Sequence, residues 1–539
     1  MKKIISLLMA IVMVIGMASF VGCGDDTGID PNRTQLYVGL KESGLGREWL
    51  DDLIVEYEKK NPDIQVILDV KNEEYDSQKV LANIKYGRED VYLLNMLQYY
   101  DFVFKNGGSD YLVELTDIIM DGGEKSLWNR GEPKTKEYYN VGTEEEPEIY
   151  CIPYSESVWC ITYDKALFRD KDLYDLDNYK GFDGVAGTGD ESYGPDGVED
   201  TYDDGLPSTF EDFKLLLNEM VAQGVTPFTW TGKWADYRAS MISAVLASYE
   251  GENDYMLRFE FNGTHSTLGE INEQNGYKLT DSEGVKAAIT FAKYVTSDPK
   301  FYSQKTTNTT LDHSQAQLEF LKSQETDNPI AFLMEATWWE YEAKGVFEEM
   351  RAKYGEGRGY GERDLGLFPI PKFIGTEAIQ DQNNTKTTYT GTISTAGGGI
   401  CINKSSEKID IAKDFVKFIT REDSQIHYTA TTGNSVPYAL NISEEKLANL
   451  TPLQKDIIKA KESGYTEFIG KAVKNNLMLY SGSYFESWKL KSRIDGQTHN
   501  DPLRAFQKNP NLTVEQYIDG IKEIYNATSW AEMYARIYN

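Results

Sequence analysis

The sequence predicts an α/β fold divided into two lobes. The chain has 539 residues, of which 40% are apolar and 26% are charged, so it can bury a large core. A chain of this length usually divides into two or more domains, each with its own core. Near the N-terminus, residues 35–40 and 64–70 have the apolar pattern of strands, and residues 47–60 between them have that of an amphipathic helix. A strand, a helix and a strand in this order predict parallel pairing, with helices covering the sheet.

Helical patterns continue to the C-terminus. Ser208 with Glu211, and Thr513 with Gln516, have the spacing of capping boxes that precede apolar stripes. The segment beyond residue 440 is also helical by pattern, and it predicts a helical C-terminal extension.

The net charge excludes one class of partner. Lys and Arg number 55 against 86 Asp and Glu, which gives a formal charge of −31. Because a nucleic-acid backbone attracts positive charge, no general nucleic-acid binding is expected. Tyr dominates the aromatic residues, with 36 Tyr, 22 Phe and 9 Trp, and such rings either stack on sugars or fill a core.

The N-terminus has the pattern of a secretory signal, with two lysines ahead of an apolar run over 4–18. Val21-Gly22-Cys23 resembles the bacterial lipobox, which implies removal of residues 1–22 as a signal peptide and a lipid on the thiol of Cys23, with 23–33 as a tether. The alternative is an uncleaved anchor, since the apolar run with its flank nearly spans a bilayer. Either interpretation places the folded part on the extracytoplasmic face of the cell membrane.

Three further cysteines follow Cys23, an odd number that excludes a complete disulfide framework. Cys151 and Cys160 flank a predicted turn that would bring them together if it forms a hairpin, whereas Cys401 is distant in sequence. The narrow geometry of a disulfide leaves this pairing open.

Residues 183–205 are rich in Gly and acid and predict a loop. Closely spaced carboxylates suit a structural Ca²⁺, a hard cation that takes six to eight oxygen ligands. A solvated acidic loop without metal is the alternative, and the spacing does not fit an EF-hand. The candidate ligands are Asp196, Asp200, Asp203 and Asp204.

The sequence has no recognisable catalytic motif. Its four histidines are not spaced as metal ligands, and HExxH, GxSxG and Walker-type motifs are absent. A glycosidase pair of carboxylates is defined by its separation in space, so the sequence does not identify one. We therefore predict no catalytic residues and no required cofactor.

Several segments resemble, in sequence order, the extracellular solute-binding proteins of ABC importers, in the family whose members mostly bind sugars. The resemblance extends from about residue 35 to residue 440. It rests on YEKKNPDIQV at 57–66, YCIPYSESVWCITYDKALF at 150–168, LPSTFEDF at 206–213, GVTPF at 224–228, the segment 331–338, GLFPIP at 366–371, GGGICINKSS at 397–406 and TGNSVP at 432–437.

The resemblance implies a two-lobed periplasmic-binding-protein-like fold of type 2, whose chain crosses the hinge more than once and whose ligand lies in the cleft. The implied crossings lie near 152–156, 365–369 and 421–424. Residues 34–153 and 367–420 then form the N-terminal lobe, and residues 156–364 and 424–539 form the C-terminal lobe.

A sugar-binding site needs flat aromatic faces with polar groups around them. Trp338 matches the stacking tryptophan of the family, and Trp230 and Trp234 lie four residues apart in a polar segment after GVTPF. Further candidates lie at predicted strand ends or crossings. The full set of candidate ligand contacts is Trp338, Trp339, Trp230, Trp234, Glu42, Ser43, Asn95, Gln98, Glu156, Trp159, Gly433 and Asn434.

The resemblance thus implies the substrate-binding component of an ABC importer, a lipid-anchored monomer without catalysis. It would capture an oligosaccharide by closure of the lobes and deliver it to ABC permease subunits. Two alternatives stay open. One is a secreted carbohydrate-active enzyme such as a glycosidase, and the other is the same fold with a peptide or another polar solute as ligand.

Overall fold

Two β-sheets organise the chain in the computed structural model. The structure describes residues 28–538 apart from 43, 72–76, 96–106, 182–183, 190, 262, 374–391, 397, 464–465 and 469–488, so Cys23, Ser43 and Gln98 lie outside the described residues. The strands are β1 (Thr34–Lys41), β2 (Ile64–Lys71), β3 (Val91–Asn95), β4 (Ile152–Pro153), β5 (Glu156–Asp164), β6 (Thr226–Thr229), β7 (Thr264–His265), β8 (Gly269–Glu270), β9 (Ile330–Ala336), β10 (Leu365–Phe368), β11 (Thr392–Ala396), β12 (Gly398–Ile402), β13 (Thr466–Phe468), β14 (Ser492–Ile494) and β15 (Gln497–His499).

Nineteen α-helices surround these strands in the described part of the chain. Within it, no helix is both long enough and apolar enough to cross a membrane. The helices are α1 (Glu48–Lys60), α2 (Ser77–Tyr86), α3 (Thr116–Ile119), α4 (Leu127–Arg130), α5 (Pro133–Tyr139), α6 (Lys165–Asp170), α7 (Phe210–Ala222), α8 (Ala235–Glu260), α9 (Glu283–Val295), α10 (His313–Ser323), α11 (Trp339–Glu342), α12 (Lys344–Tyr354), α13 (Ile409–Thr420), α14 (Glu422–Thr432), α15 (Glu444–Ala448), α16 (Pro452–Ser463), α17 (Pro502–Lys508), α18 (Val514–Ile524) and α19 (Ala527–Tyr538).

The first sheet belongs to the N-terminal lobe. Its strand order is β2-β1-β3-β12-β4, with β1 parallel to β2 and β3, and with β12 antiparallel to β3 and β4. The parallel β1–β2 pair confirms the predicted strand–helix–strand unit, because α1 connects the two strands. The residues that α1 buries are Trp49, Leu50, Leu53 and Tyr57.

The second sheet belongs to the C-terminal lobe. Its order is β13-β11-β5-β9-β6, and β10 also pairs with β5. All of β5 and all of β9 are buried, as expected for strands covered on both faces. Trp159 and Ile161 on β5 enter one apolar core, and Cys160 between them enters another, because successive side chains of a strand point to opposite faces.

An antiparallel ribbon, paired in the described residues on both sides of position 397, joins the two sheets. β4 leads into β5, and β11 leads back into β12 beside them. Between the two sheets, Tyr154 N donates to Gly398 O (2.9 Å). The register does not change across the hinge, where the paired residues are, in order, Trp159–Ile393, Glu156–Ala396, Pro153–Gly399 and Ile152–Ile400.

The chain passes from the first sheet to the second between Pro153 and Glu156, whereas strand pairing moves the other two predicted crossings. β10 and β11 pair within the second sheet, so the return crossing lies at 396–398 and not at 365–369. Tyr428, Val436 and Tyr438 lie in the core of the first lobe. Leu453 is the first later residue in a core of the second lobe. The last crossing therefore follows residue 438, and the boundary predicted at 421–424 is too early.

The predicted helix caps differ in their outcome. Thr513 and Gln516 form the capping box of α18. The other cap is shifted by one residue, since Thr209 Oγ1 accepts from Asp212 N (3.1 Å) at the start of α7. Ser208 does not cap the helix because its hydroxyl donates to Gly194 O (2.7 Å).

The cysteine pairing left open by the sequence is absent. Cys151 directly precedes β4 in the first sheet, whereas Cys160 lies in the middle of β5 in the second. Both thiols are free and buried. The chain between them is therefore the hinge crossing and not a hairpin turn.

A buried ion pair anchors the C-terminal extension. Arg238 on α8 donates to both carboxylate oxygens of Asp501 (3.1 and 2.9 Å) and to Thr231 O (2.6 Å). The side chains of the pair are 4% and 2% exposed. Asp501 also caps α17 by accepting from Arg504 N (2.9 Å), so it fixes the start of the helices that pack on α8 and α9.

Removing one partner of this pair is expected to destabilise the fold strongly. Asp501→Ala leaves the Arg238 charge buried and unpaired, which typically costs about 3–5 kcal/mol of unfolding free energy. Lys522→Ala is the control, because the pair of Lys522 with Asp281 is exposed and is worth about 0–1 kcal/mol. Urea unfolding measures both. Equal stability of the two variants would contradict the anchoring role.

Candidate functional site

Three aromatic side chains form a cluster at one end of the second sheet. The ring of Trp159 meets that of Tyr237 (centroids 4.8 Å apart) and that of Trp338 (5.4 Å), both edge to face. Tyr237 also contacts Trp338 edge to face (6.4 Å). Trp159 is 8% exposed, whereas Trp338 and Tyr237 are partly exposed. The cluster therefore packs on the core and still presents ring surface outward.

Strand order brings these three residues together. Trp159 pairs with Ala336, the last residue of β9, and Trp338 follows two residues later. Tyr237 lies in the first turn of α8, shortly after β6, which is the parallel neighbour of β9. The carboxyl ends of these parallel strands share one edge of the sheet, which is where open α/β sheets bind ligands.

A buried hydrogen-bond network holds the backbone next to Trp338. Thr337 Oγ1 donates to Asn434 Oδ1 (2.8 Å), and Asn434 Nδ2 donates to Ser157 Oγ on β5 (3.1 Å). Gly433, with a φ of +74°, ends α14 in the left-handed conformation that turns the chain into this contact. Asn434 has no exposed surface. Gly433 and Asn434 are candidate ligand contacts by sequence. In the structure they position Thr337 instead.

Polar groups border the aromatic cluster. The ring of His313 stacks on Tyr237 (5.5 Å, 27° between planes), and His313 Nε2 lies 3.3 Å from Glu342 Oε1. Gln317 Nε2 donates to Glu342 Oε2 (2.8 Å). The hydrogen bond to Glu342 raises the pKa of His313. The rim thus combines a donor and a carboxylate, both partly exposed, at the edge of an aromatic surface.

A buried carboxyl lies behind this rim. Glu335 on β9 is 1% exposed, and Gln317 Nε2 lies 3.4 Å from its Oε2. Burial raises the pKa of Glu335 to about 8, and the charge of Glu342 adds to this effect. The folded protein therefore keeps a proton on Glu335 at neutral pH.

Glu335 is expected to make stability depend on pH. The unfolded chain loses this proton near the ordinary pKa of 4.5 and the folded chain near 8, so stability is lost as pH rises between these values. Glu335→Gln removes the titration and keeps the shape. The unfolding temperature should fall less between pH 5 and pH 8.5 in the variant than in the wild type. An equal fall would contradict a protonated Glu335.

The two lobes meet beside the cluster. At Gly44, which follows β1, an added side-chain carbon would lie 2.7 Å from Glu342 Oε1 and 3.2 Å from Trp338 Cδ1. A larger residue at this position would displace Glu342. The first lobe thus comes into close contact with Trp338 and Glu342 at Gly44, and Glu42, a predicted contact, lies two residues earlier and is partly exposed.

An ion pair connects the two lobes next to this contact. Tyr341 Oη and Lys344 Nζ both donate to Glu48 Oε2 (3.1 and 3.0 Å). Glu48 begins α1 in the first lobe, and the other two residues lie on α11 and α12 in the second. These hydrogen bonds lower the pKa of Glu48. We call the contact of Glu48 with Tyr341 and Lys344 the latch.

Reversing one charge of the latch is expected to open the lobes. Lys344→Glu places two carboxylates together, and loss of an exposed pair shifts the equilibrium by about 1 kcal/mol, roughly fivefold. Small-angle X-ray scattering at low salt should show a larger radius of gyration, and adding Glu48→Lys should restore it.

Lys322→Glu is the matched control for the latch. Lys322 pairs with Glu349 within the second lobe at similar exposure, so its reversal should leave the radius unchanged. An identical radius in wild type and Lys344→Glu would contradict the latch.

Two of the predicted tryptophans belong to the core. Trp230 has no exposed surface and packs near Phe228 and Tyr302. Trp339 is equally buried, and its Nε1 donates to Thr162 Oγ1 (3.0 Å). Their prediction as ligand contacts is corrected, because apolar packing accounts for both side chains. Trp234 differs, since it is 43% exposed at the start of α8.

Glu156 and Asn95 lie at the hinge. The carboxylate of Glu156 is 1% exposed and pairs with the Lys461 ammonium, which also binds Glu132 (2.8 Å). Burial and the nearby Glu156 raise the pKa of Glu132 to about 7. Glu156 is thus committed to a structural charge cluster. Asn95 is the last residue of β3 and lies opposite Gly398 of the ribbon. It is therefore at a strand end, and its role as a ligand contact stays a prediction.

The acidic loop has its own internal contacts. Asp203 accepts from Asp196 N (3.1 Å) and from Thr201 Oγ1 (2.7 Å), and burial and Asp196 raise its pKa to about 7. Burial lowers the pKa of Lys372 to about 8, against the opposing charges of Asp196 and Asp203. Among the described residues, no group of three or more His, Cys, Asp or Glu is placed to hold a metal. The Ca²⁺ site, with Asp200 and Asp204, stays a prediction.

Sequence reasoning missed Tyr237, His313 and Glu342. They lie on three different helices, and no motif connects them. Local signals existed for two of them, since Tyr237 lies three residues after Trp234 and Glu342 four residues after Trp338, spacings that share a helix face. Nothing in the sequence indicates that His313 joins them.

A cavity of 830 Å³ lies elsewhere on the second lobe. It is lined by residues that include Thr226, Ile330, Tyr302 and Glu319. Thr226 and Ile330 begin β6 and β9, whereas the aromatic cluster lies where these strands end. The cavity is therefore separate from the place where the lobes meet.

The sequence matches the family of bacterial extracellular solute-binding proteins over residues 43–426. A search of curated protein sequences gave no match.

Solved structures share the fold at low sequence identity. One is SBP RafE in complex with raffinose (13% identity, TM-score 0.56), which covers 92% of this chain and 100% of that chain. Maltose-bound MalE3 of T. maritima has 15% identity, a TM-score of 0.54 and coverage of 91% and 99%. The Thermus thermophilus maltotriose-binding protein bound with maltotriose has 13% identity, a TM-score of 0.51 and coverage of 92% and 100%.

Proposed function

The chain belongs to the bacterial extracellular solute-binding proteins, and we propose that within this family it captures a carbohydrate, most simply an oligosaccharide, for an ABC importer. The observation that carries the proposal is the partly exposed cluster of Trp159, Trp338 and Tyr237 where the two lobes meet. Solute-binding proteins of this type act by binding and release, so no catalysis is proposed.

The chemistry of the cluster suits a sugar ring. Pyranose rings have apolar CH faces that pack on aromatic side chains, and hydroxyls around their edge that need donors and acceptors. Trp338 and Tyr237 supply ring surface, and His313 and Glu342 supply polar partners on its border. The fold relatives solved with raffinose, maltose and maltotriose favour the same ligand class.

Capture is proposed to occur by closure of the lobes. A ligand that touches Trp338 on one lobe and the loop around Glu42 and Gly44 on the other binds the closed state better than the open state, and so shifts the equilibrium toward it. A micromolar ligand supplies roughly 8 kcal/mol of binding free energy. Only the part of this free energy that distinguishes the closed from the open state shifts the equilibrium.

The remaining parts of the proposal concern attachment and partners. A lipid on Cys23 would hold the protein on the extracytoplasmic face of the membrane, and ABC permease subunits would receive the ligand from a monomer. The Ca²⁺ site in the acidic loop stays part of the proposal as a stabilising element only.

One observation keeps an enzymatic alternative worth testing. Gln317 Nε2 lies within 3.4 Å of a carboxylate oxygen of both Glu335 and Glu342, so two carboxyl groups lie near the cluster, as in glycosidases. Against this role, Glu335 is 1% exposed and has no access to a glycosidic bond.

The proposal is tested by thermal unfolding of the mature protein against a panel of oligosaccharides, with chromatography of each sugar before and after incubation. Binding to the native state raises the midpoint, equivalent to about 2.7 kcal/mol at a hundredfold excess over Kd. We expect a selective shift with the sugar intact. A degraded sugar would support the glycosidase, and a shift with peptides alone would move the ligand to another class.

Trp338→Ala is expected to weaken binding of the best sugar from this panel. Loss of a central aromatic contact typically costs about 2 kcal/mol, roughly 30-fold in Kd. Isothermal titration calorimetry measures the change. Tyr354→Ala is the control, because Tyr354 is 41% exposed at the end of α12 and should leave Kd unchanged. Equal affinities of all three proteins would refute the role of Trp338.

A further inference from the structure

Cys151 and Cys401 lie opposite each other at the end of the hinge ribbon. Pro153 pairs with Gly399 and Ile152 with Ile400 in the antiparallel β4–β12 pair. Cys151 directly precedes β4, and extending the register of this pair by one residue would set it opposite Cys401. Both residues are fully buried in the core of the first lobe.

The position within the ladder suits a covalent bond. Tyr154 N donates to Gly398 O, which marks these two as a hydrogen-bonded pair. Because such pairs alternate along an antiparallel ladder, the extended register gives Cys151 and Cys401 the position of a non-hydrogen-bonded pair, in which Cα atoms are typically about 4.5 Å apart. Disulfides take Cα separations of roughly 4.4–6.8 Å.

The side chains also contact each other. Opposite residues of an antiparallel pair point to the same face, and burial, together with a hydrogen bond to the thiol of Cys401, raises the pKa of Cys151. Cys160 lies apart from them, on β5 opposite Glu335. The three thiols therefore divide into one pair and one single residue.

Cys151 and Cys401 are free thiols in the structure, and we propose that they form a disulfide in the exported protein. The bond arises by exchange with an external disulfide oxidant. One thiolate attacks the donor disulfide and forms a mixed disulfide, and the second thiolate then displaces the donor. The two cysteines lose two electrons and two protons in total, and the donor leaves as a dithiol. The compartment outside the cytoplasm permits such bonds.

The bond forms while the chain folds and not afterwards. Attack requires a thiolate in contact with the oxidant, whereas the folded sheet buries both thiols completely. Once formed, the disulfide ties β4 to β12, the two strands that enter and leave the hinge. It thereby fixes the first-lobe end of the ribbon about which the lobes move.

Alkylation mapping tests the proposal on the full chain after export. One sample is denatured in the presence of iodoacetamide without reduction, and a second sample is reduced first. The peptides of both are identified by mass spectrometry. We expect only Cys160 to be modified before reduction, together with a linked peptide that contains Cys151 and Cys401. Modification of all three before reduction, or a link from either cysteine to Cys160, would overturn the proposal.

Variants give an independent readout. Dithiothreitol should lower the unfolding temperature of the wild type and of Cys160→Ala by the same amount, and should leave Cys151→Ala and Cys401→Ala unchanged. If all four proteins respond alike, the disulfide is refuted. The mapping of the wild type decides the matter if a cysteine variant fails to fold. Neither experiment involves a sugar, so its result is separate from that of the ligand panel.

Discussion

The unbroken register of the hinge ribbon is the constraint on which the rest of the structure depends. The same antiparallel pairing runs from the second sheet through Tyr154 and Gly398 into the first. A change of register by one residue would turn every side chain of β5 to the other face. It would then exchange the contents of the two cores that flank β5.

The ribbon also connects the hinge to the candidate binding site. Trp159 lies on β5 only three residues beyond Glu156, and the same strand holds Thr337 beside Trp338 through Ser157 and Asn434. The aromatic cluster is therefore rigid relative to the second-lobe end of the hinge. Movement of the lobes changes the distance from this cluster to Gly44 and leaves the cluster itself intact, which is the arrangement that capture by closure requires.

The sequence predicts those features that depend on neighbours along the chain. The strand–helix–strand unit and the cap at Thr513 follow from local patterns and hold in the structure, whereas the crossing at 152–156 is implied by the family resemblance. The crossing predicted at 365–369 is wrong because the sequence of β10 does not indicate which sheet the strand joins. Only its pairing with β5 assigns it to the second lobe.

The candidate site shows the same division. Trp338 is predicted as a ligand contact from a family motif and stays a prediction; in the structure it is partly exposed and packs on Trp159. Asn434 and Glu156 are polar residues at a predicted loop and hinge, but their buried partners, Thr337 and Lys461, come from distant segments. Long-range contacts of this kind decide whether a polar residue faces a ligand or supports the backbone.

The most direct measurement is a crystal structure with the oligosaccharide that gives the largest thermal shift. The account predicts a sugar ring packed against Trp338, with hydroxyls within hydrogen-bond distance of His313 or Glu342 and with both lobes in contact with the ligand. A sugar bound in the cavity where β6 and β9 begin, or held by one lobe alone without Trp338, would contradict it.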